Sequence, residues 1–203
     1  MSDGSSAFDS IAAPYDRGMA PLERLGLRQM RARLLTQVKG KVLEVGVGTG
    51  VNFPFYSPSV CLSAIDESTD MLAVAFSRAV VLGRSVHLAK VNVEQLAFPD
   101  GCFDTVVATL VLCSVVDQHR ALDELRRVLR RPGGRFLLLE HMRPEVRPLA
   151  WLVDGVNLPW VAWNKRCHLN RKTQQAVVQA GFRVEQVESK MGGLLRLIVA
   201  EPI

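Results

Sequence analysis

The stretch that most constrains this chain is Lys41-Val42-Leu43-Glu44-Val45-Gly46-Val47-Gly48-Thr49-Gly50. A short apolar run with β-branched residues enters a loop with glycine at every second position, the pattern of a buried strand ending in a tight turn. Without a Cβ, glycine lets the backbone take positive φ and approach a ligand closely. The N–H groups that open the next segment can then hydrogen-bond a polar ligand group. The spacing is G-x-G-x-G, neither the G-x-G-x-x-G of dinucleotide enzymes nor G-x-x-x-x-G-K-[ST]. The loop has no lysine, and Glu44 stands two residues before the first glycine. A carboxylate there repels a phosphate and suits a cationic or hydroxyl-bearing ligand.

A second apolar run, Val60-Cys61-Leu62-Ser63-Ala64-Ile65, ends in Asp66. In a doubly wound sheet this position lies beside the glycine loop, where an acid accepts hydrogen bonds from ribose hydroxyls. The loop alone leaves open an NAD-type site or a glycine turn with no ligand. Together with Asp66, however, Glu44-Val45-Gly46-Val47-Gly48-Thr49-Gly50 resembles the S-adenosylmethionine site of class I methyltransferases. Two further stretches carry the same resemblance. Val91-Asn92-Val93-Glu94-Gln95-Leu96-Ala97-Phe98-Pro99-Asp100-Gly101-Cys102-Phe103-Asp104 is similar to the family's G-D-A-E-x-L-P-F-x-D-x-x-F-D, and Arg127-Val128-Leu129 with Pro132-Gly133-Gly134 to its R-V-L-x-P-G-G turn. Asn92 replaces the family's acid at the adenine amino group; its amide oxygen can accept the same hydrogen bond without charge.

The resemblance implies an α/β fold: a single-domain, Rossmann-like, seven-stranded sheet in the order 3-2-1-4-5-7-6, with helices on both faces. It implies S-adenosylmethionine as cofactor, leaving as S-adenosylhomocysteine. The cofactor-binding residues expected from it are Tyr15, Glu44, Gly46, Gly48, Gly50, Asp66, Glu67, Met71, Asn92, Val93 and Leu110. Tyr15 belongs to Phe8-Asp9-Ser10-Ile11-Ala12-Ala13-Pro14-Tyr15-Asp16, similar to a stretch that folds over the cofactor in many small-molecule methyltransferases; otherwise it is an aromatic anchor for an N-terminal helix. Residues 1–38 are expected to form a tail and a lid or amphipathic helix, and residues 39–203 the methyltransferase domain.

The chain of 203 residues suits one domain with a full core, and 48% apolar residues make it globular. Cysteines 61, 102, 113 and 167 form no C-x-x-C pair, so a reduced cytoplasmic protein without a structural zinc is expected. Neither a signal peptide nor an apolar run of transmembrane length is read. The net charge of +5 falls in the flanks, residues 1–40 and 141–203. It fits a solvated surface, an anionic membrane or nucleic acid; no aromatic-basic motif supports the last. Leu27, Met30, Leu34 and Val38 recur at helical spacing within Pro21–Val38, beside Arg24, Arg28 and Arg31. This helix either packs on the domain or lies on an anionic membrane, and packing is favoured. Ser68 and Asp117 are expected helix N-caps. Phe182–Ser189 and Leu194–Ala200 are expected as an antiparallel hairpin at the sheet edge.

Acceptor-side residues belong at the carboxyl ends of the strands. Thr109-Leu110-Val111-Leu112 lacks the Asn/Asp-Pro-Pro-Tyr/Phe turn of nucleic-acid amino methyltransferases. Cys113, in an apolar stretch, reads as core rather than nucleophile. His141 ends the fifth strand and is the candidate general base; a structural histidine is the alternative. Leu110-Val111-Leu112-Cys113-Ser114-Val115, Glu140-His141 and Cys167-x-Leu169-x-Arg171-x-Thr173 resemble the methyltransferase-like 7 proteins, membrane-associated thiol methyltransferases whose anchor segment is missing here. The glycine loop and basic N-terminal helix also resemble Rhodobacter-type phospholipid N-methyltransferases; the ubiquinone/menaquinone C-methyltransferases are a more distant likeness. The acceptor-side candidates are Cys113, Ser114, Trp163, His168 and Arg171, with the last able to meet an acceptor anion. Residues 150–163, apolar and tryptophan-rich with several helix breakers, are expected to wall a pocket or pack as core. The function expected is methyl transfer to a thiol or amine of a small apolar or amphiphilic acceptor, with a phospholipid among the candidates and peripheral contact with the inner membrane face. The alternatives are C-methylation of a quinone-type molecule, a non-catalytic cofactor-binding module and an RNA-binding methyltransferase.

Overall fold

In a computed structural model the chain forms one seven-stranded sheet in the order β3-β2-β1-β4-β5-β7-β6. Residues 12–164 and 166–203 are described, without the side chains of 13, 163 and 164. The strands are β1 (Lys41–Val45), β2 (Cys61–Asp66), β3 (His87–Lys90), β4 (Thr105–Thr109), β5 (Arg135–His141), β6 (Phe182–Lys190) and β7 (Leu195–Pro202). The helices are α1 (Ala12–Leu22), α2 (Arg28–Leu35), α3 (Thr69–Val81), α4 (Gln118–Val128), α5 (Arg147–Asn164) and α6 (Thr173–Gln179).

β1 to β5 pair in parallel, and β7 joins antiparallel to both β5 and β6. The central strands are apolar because both faces are covered. Leu43 and Val45 point into a core shared with α4 and α6, while Val42 points into one shared with α2 and α3. Ser68 and Asp117 cap α3 and α4, accepting from Met71 N and Arg120 N, each such cap contributing about 1 kcal/mol.

One element differs from the sequence reading. The helix expected over Pro21–Val38 is divided: α1 runs from Ala12 to Leu22, the chain kinks at Gly26 (φ 121°), and α2 begins at Arg28. Met30 and Leu34 are fully buried, and the Arg31 side chain, beside them in sequence, is buried as well. The apolar stretch 150–163 is helical despite its breakers. Pro148 falls in the first turn of α5, where an N–H is orphaned in any case. Ala150, Val153 and Asn157, at i, i+3 and i+7, supply its buried stripe.

Candidate cofactor and acceptor site

The parallel strands end on one side of the sheet, and their loops enclose a cleft of about 910 Å³, partly open to solvent. The loops after β1, β2, β3 and β4 supply most of its wall, closed over by Tyr15, Arg31 and Arg166.

The glycine loop shows why its residue types are needed. Gly46 has φ 60°, and a Cβ there would come within 2.3 Å of Val111 Cγ2. Gly48 has φ 54°, yet a Cβ would meet nothing within 4 Å, since its α-carbon faces open cleft. Its N–H donates to Asp66 Oδ2 at 2.8 Å, and Ser68 N donates to Oδ1 at 2.9 Å. Each carboxylate oxygen keeps a further lone pair, so Asp66 can brace the loop and still accept from a hydroxyl. Burial raises its pKa despite the backbone bonds from Ser68 and Gly48. Leu110, at φ 59°, is a non-glycine residue in the left-handed region on the cleft wall, a strain characteristic of ligand sites.

Tyr15, Gly46, Gly48, Asp66, Glu67, Met71, Asn92, Val93, Leu110 and Ser114 all line this cleft. Glu67 Oε2 accepts from Arg166 Nη1 at 3.1 Å. Asn92 Oδ1 accepts from Glu94 N at 2.7 Å, so the amide oxygen expected at an adenine is already engaged once in its own turn. Tyr15 is held by α1, which is latched to the glycine loop. Asp16 accepts from Thr49 Oγ1 at 2.6 Å and pairs with Arg78. Burial pushes the Tyr15 hydroxyl up to about 12, with Arg31 opposing and Cys113 and Cys167 adding to the rise.

Several candidates stand elsewhere. Glu44 lies behind the loop, accepting from Asn52 Nδ2 (2.7 Å) and Tyr56 OH (2.8 Å). Burial pushes its pKa up to about 7 against those two bonds and the charge of Arg31. It supports the loop only through Asn52 and Tyr56, because a carboxylate on β1 points into the core. Gly50 packs against Phe53, where a Cβ would come within 2.5 Å of the ring. Arg171 donates to backbone, to Leu112 O (2.6 Å) and Val115 O (2.7 Å), and so ties its segment to the loop after β4. His168 joins the same loop through its N–H to Cys113 O at 2.9 Å. The Trp163 side chain lies outside the described residues. His141 turns away from the cleft lining: its Nε2 meets Cys167 Sγ at 3.0 Å, and Cys167 Sγ meets Cys113 Sγ at 3.8 Å.

Arg31 is the residue that sequence reasoning missed. It is 4% exposed and lines the cleft. Its Nε pairs with Glu23 (3.0 Å), and its Nη1 donates to Asn52 Oδ1 (3.1 Å) and Thr109 Oγ1 (2.8 Å). Its place at i+1 from buried Met30 and i−3 from buried Leu34 was the available signal. Together these features suit a cofactor with a nucleoside, an apolar face and a carboxylate: Asp66 for the hydroxyls, Met71 and Val93 for the ring, and a buried guanidinium for the anion.

A Rossmann-like sheet with this glycine loop, acid and cleft defines a nucleoside-cofactor enzyme. The comparisons narrow it. The "Methyltransferase domain" family model matches residues 43–138. Human thiol S-methyltransferase TMT1A is 39% identical over 174 residues, covering 83% of this chain and 70% of that protein. Phosphatidylethanolamine N-methyltransferase of Cereibacter sphaeroides is 33% identical over 163 residues, 78% of each chain. A solved S-adenosylmethionine-dependent methyltransferase of Thermotoga maritima superposes with TM-score 0.72 at 21% identity, over 97% of this chain and 99% of that one. The chain belongs to the class I S-adenosylmethionine-dependent methyltransferases, and family and fold together imply that cofactor.

Proposed function

We propose that this enzyme methylates the thiol of a small apolar or amphiphilic acceptor. When bound, S-adenosylmethionine supplies an electrophilic methyl group on a sulfonium. In this reading the backbone of the glycine loop lies along the cofactor, Asp66 accepts from its ribose, Met71, Asn92 and Val93 face its adenine, and Arg31 holds its carboxylate. Tyr15 covers the site from α1 as a lid, so water is excluded from the reacting end.

The observation that carries the acceptor class is the wall formed by the exit from β4. Leu110, Val111, Val115 and Val116 line it. Glu94, an acid beside that wall, is committed to Val116 N and Asp117 N through its Oε1. An apolar wall suits a soft nucleophile that needs only to lose a proton and be aligned. The relative with the highest identity named above is a thiol methyltransferase, which supports the same choice.

A second reading, a phospholipid amine, is favoured by one observation: α5 exposes Trp151, Leu152 and Leu158. Calorimetry with S-adenosylmethionine tests the cofactor site. Asp66→Ala should weaken binding about 10- to 100-fold, as expected for losing charge-assisted bonds of about 1.5–3 kcal/mol. No binding by the wild type would sink the cofactor assignment. Incubation with labelled cofactor then separates the acceptors. Labelled alkyl thioethers support the thiol reading, and methylated ethanolamine headgroups the lipid one. Product only on free amino acids or RNA overturns the apolar acceptor.

A further inference from the structure

Cys113, His141 and Cys167 form a cluster that the cofactor site does not use. Among the described residues it is the group of three metal-ligating side chains whose donor atoms all lie within 4.8 Å of one another. The three come from distant parts of the chain: the loop after β4, the end of β5 and the loop after α5. Each is fixed by its surroundings. Glu140, buried at the end of β5, accepts from Val111 N (3.0 Å), Cys113 N (3.2 Å) and His141 N (3.1 Å). Arg171 and the His168 N–H tie the Cys167 loop to the carbonyls of Leu112, Val115 and Cys113.

We propose that Cys113, His141 and Cys167 bind a borderline-soft divalent cation, Zn²⁺ by its chemistry, and that the open fourth position takes the acceptor thiol as a thiolate. The acceptor half of this proposal rests on the thiol reading; the metal half does not. Two tetrahedral ligands at about 2.3 Å from zinc stand about 3.8 Å apart, and the two sulfurs are 3.8 Å apart. The imidazole would retreat about 0.5 Å from its 3.0 Å contact with Cys167 to reach the corresponding nitrogen-to-sulfur spacing, while its distance to Cys113, within 4.8 Å, would close on binding. The ring's Nδ1 is also buried without a hydrogen bond. Nδ1 is not the ligating atom; it would carry the ring's proton when Nε2 binds the cation.

Three protein ligands with a vacant fourth position is the pattern of catalytic rather than structural zinc. The cluster adjoins the cleft: the Oγ of cleft-lining Ser114 lies 3.3 Å from Cys113 Sγ, and cleft-lining Arg166 directly precedes Cys167. Two thiolates and a neutral imidazole balance the dication. A third thiolate, from the acceptor, gives the complex one negative charge facing a cationic sulfonium. The acceptor S–H releases its proton to solvent on coordination, because a metal-bound thiol is deprotonated outright. The thiolate sulfur then forms a bond to the methyl carbon. The bond from that carbon to the donor sulfur breaks, its electron pair returns to the donor, and the neutral thioether leaves the metal.

Co²⁺ is the probe, added to the reduced full-length chain. The expected result is one ion per chain, with a sulfur-to-cobalt charge-transfer band and tetrahedral visible bands. Cys113→Ser and Cys167→Ser should each remove most of the band, while Cys61→Ser, on the exposed start of β2, should leave it intact. His141→Gln covers the case in which a cysteine variant fails to fold, judged by circular dichroism. A small alkyl thiol should shift the visible bands, and a thioether of equal size should not. Absence of a thiolate band, or a band that survives both cysteine variants, overturns the metal site. Formation of a Cys113–Cys167 disulfide in place of binding overturns it as well. Bands indifferent to thiol overturn the open position. Cofactor binding by the metal-free protein, measured separately, shows whether the methyltransferase reading itself has failed.

Discussion

The sequence identifies Glu44 as an acid beside a ligand loop; its environment makes it a buried acid beneath one. Its folded pKa, pushed up to about 7 by burial, stands above its ordinary value of 4.5. The folded chain therefore holds a proton that the unfolded chain has released between those values. Stability falls as pH rises across that window and levels off above it. The size of the effect is on the order of 3 kcal/mol. Glu44→Gln should melt close to wild type at pH 5 and higher than wild type at pH 8; equal melting at both would show that Glu44 is ionised throughout. Arg31 shows the opposite kind of surprise. A basic residue beside an apolar stripe reads as solvated because most such residues are. Only the tertiary placement of Glu23, Asn52 and Thr109 turns it inward, and no local pattern announces those partners. The place of Asp66 beside the glycine loop was legible because it depends on chain topology, which the loop already implied.

At the scale of elements, what sequence reading captured best was whatever local physics decides. The capped helices α3 and α4, the apolar parallel strands and the edge hairpin follow from caps, periodicity and turns. What it missed were elements that tertiary packing decides. α5 contains prolines that argue for a loop, and α1 begins in a stretch with little helical periodicity of its own. α1 packs Met19 on the core and is latched by Asp16 to Thr49 and Arg78. Asp16 and Arg78 are partly exposed, so their ion pair contributes less than about 1 kcal/mol to global stability. It matters for local order instead. Asp16→Ala should leave the melting temperature almost unchanged yet speed amide hydrogen exchange in residues 12–22 and quicken cofactor dissociation several-fold. Unchanged exchange in α1, alongside unchanged dissociation, would remove the lid assignment. The Tyr15 stretch was recognisable from its motif; the latch was not, because its three members lie in three separate elements.

For the molecule as a whole, the question is whether the apolar surface of α5 is more than an imperfectly covered helix. Trp151 is 66% exposed, Leu152 62% and Leu158 79%. Met191, in the turn between β6 and β7, is exposed as well. No helix among the described residues is long and apolar enough to cross a membrane, and lipid contact through α5 would lie in the plane of the interface. Tryptophan suits that depth because its ring is buried while its N–H stays wet. The C-terminal flank carries part of the net charge of +5, with Arg147 at the start of α5, and cations near anionic headgroups contribute about 1 kcal/mol each. Each exposed side chain offers its apolar area at about 25 cal/mol per Å². The two contributions have different signatures, since salt weakens only the charged one. Co-sedimentation should therefore show binding to vesicles of phosphatidylethanolamine with phosphatidylglycerol. Binding should weaken several-fold between low and physiological salt, and more than tenfold in Trp151→Ala combined with Leu158→Asp. These positions are solvent-exposed, so the double variant should fold and bind cofactor as wild type does. Equal partitioning of variant and wild type would make the α5 surface irrelevant to lipid. The acceptor would then have to reach the cleft from water, and small soluble thiols would be the substrates to test.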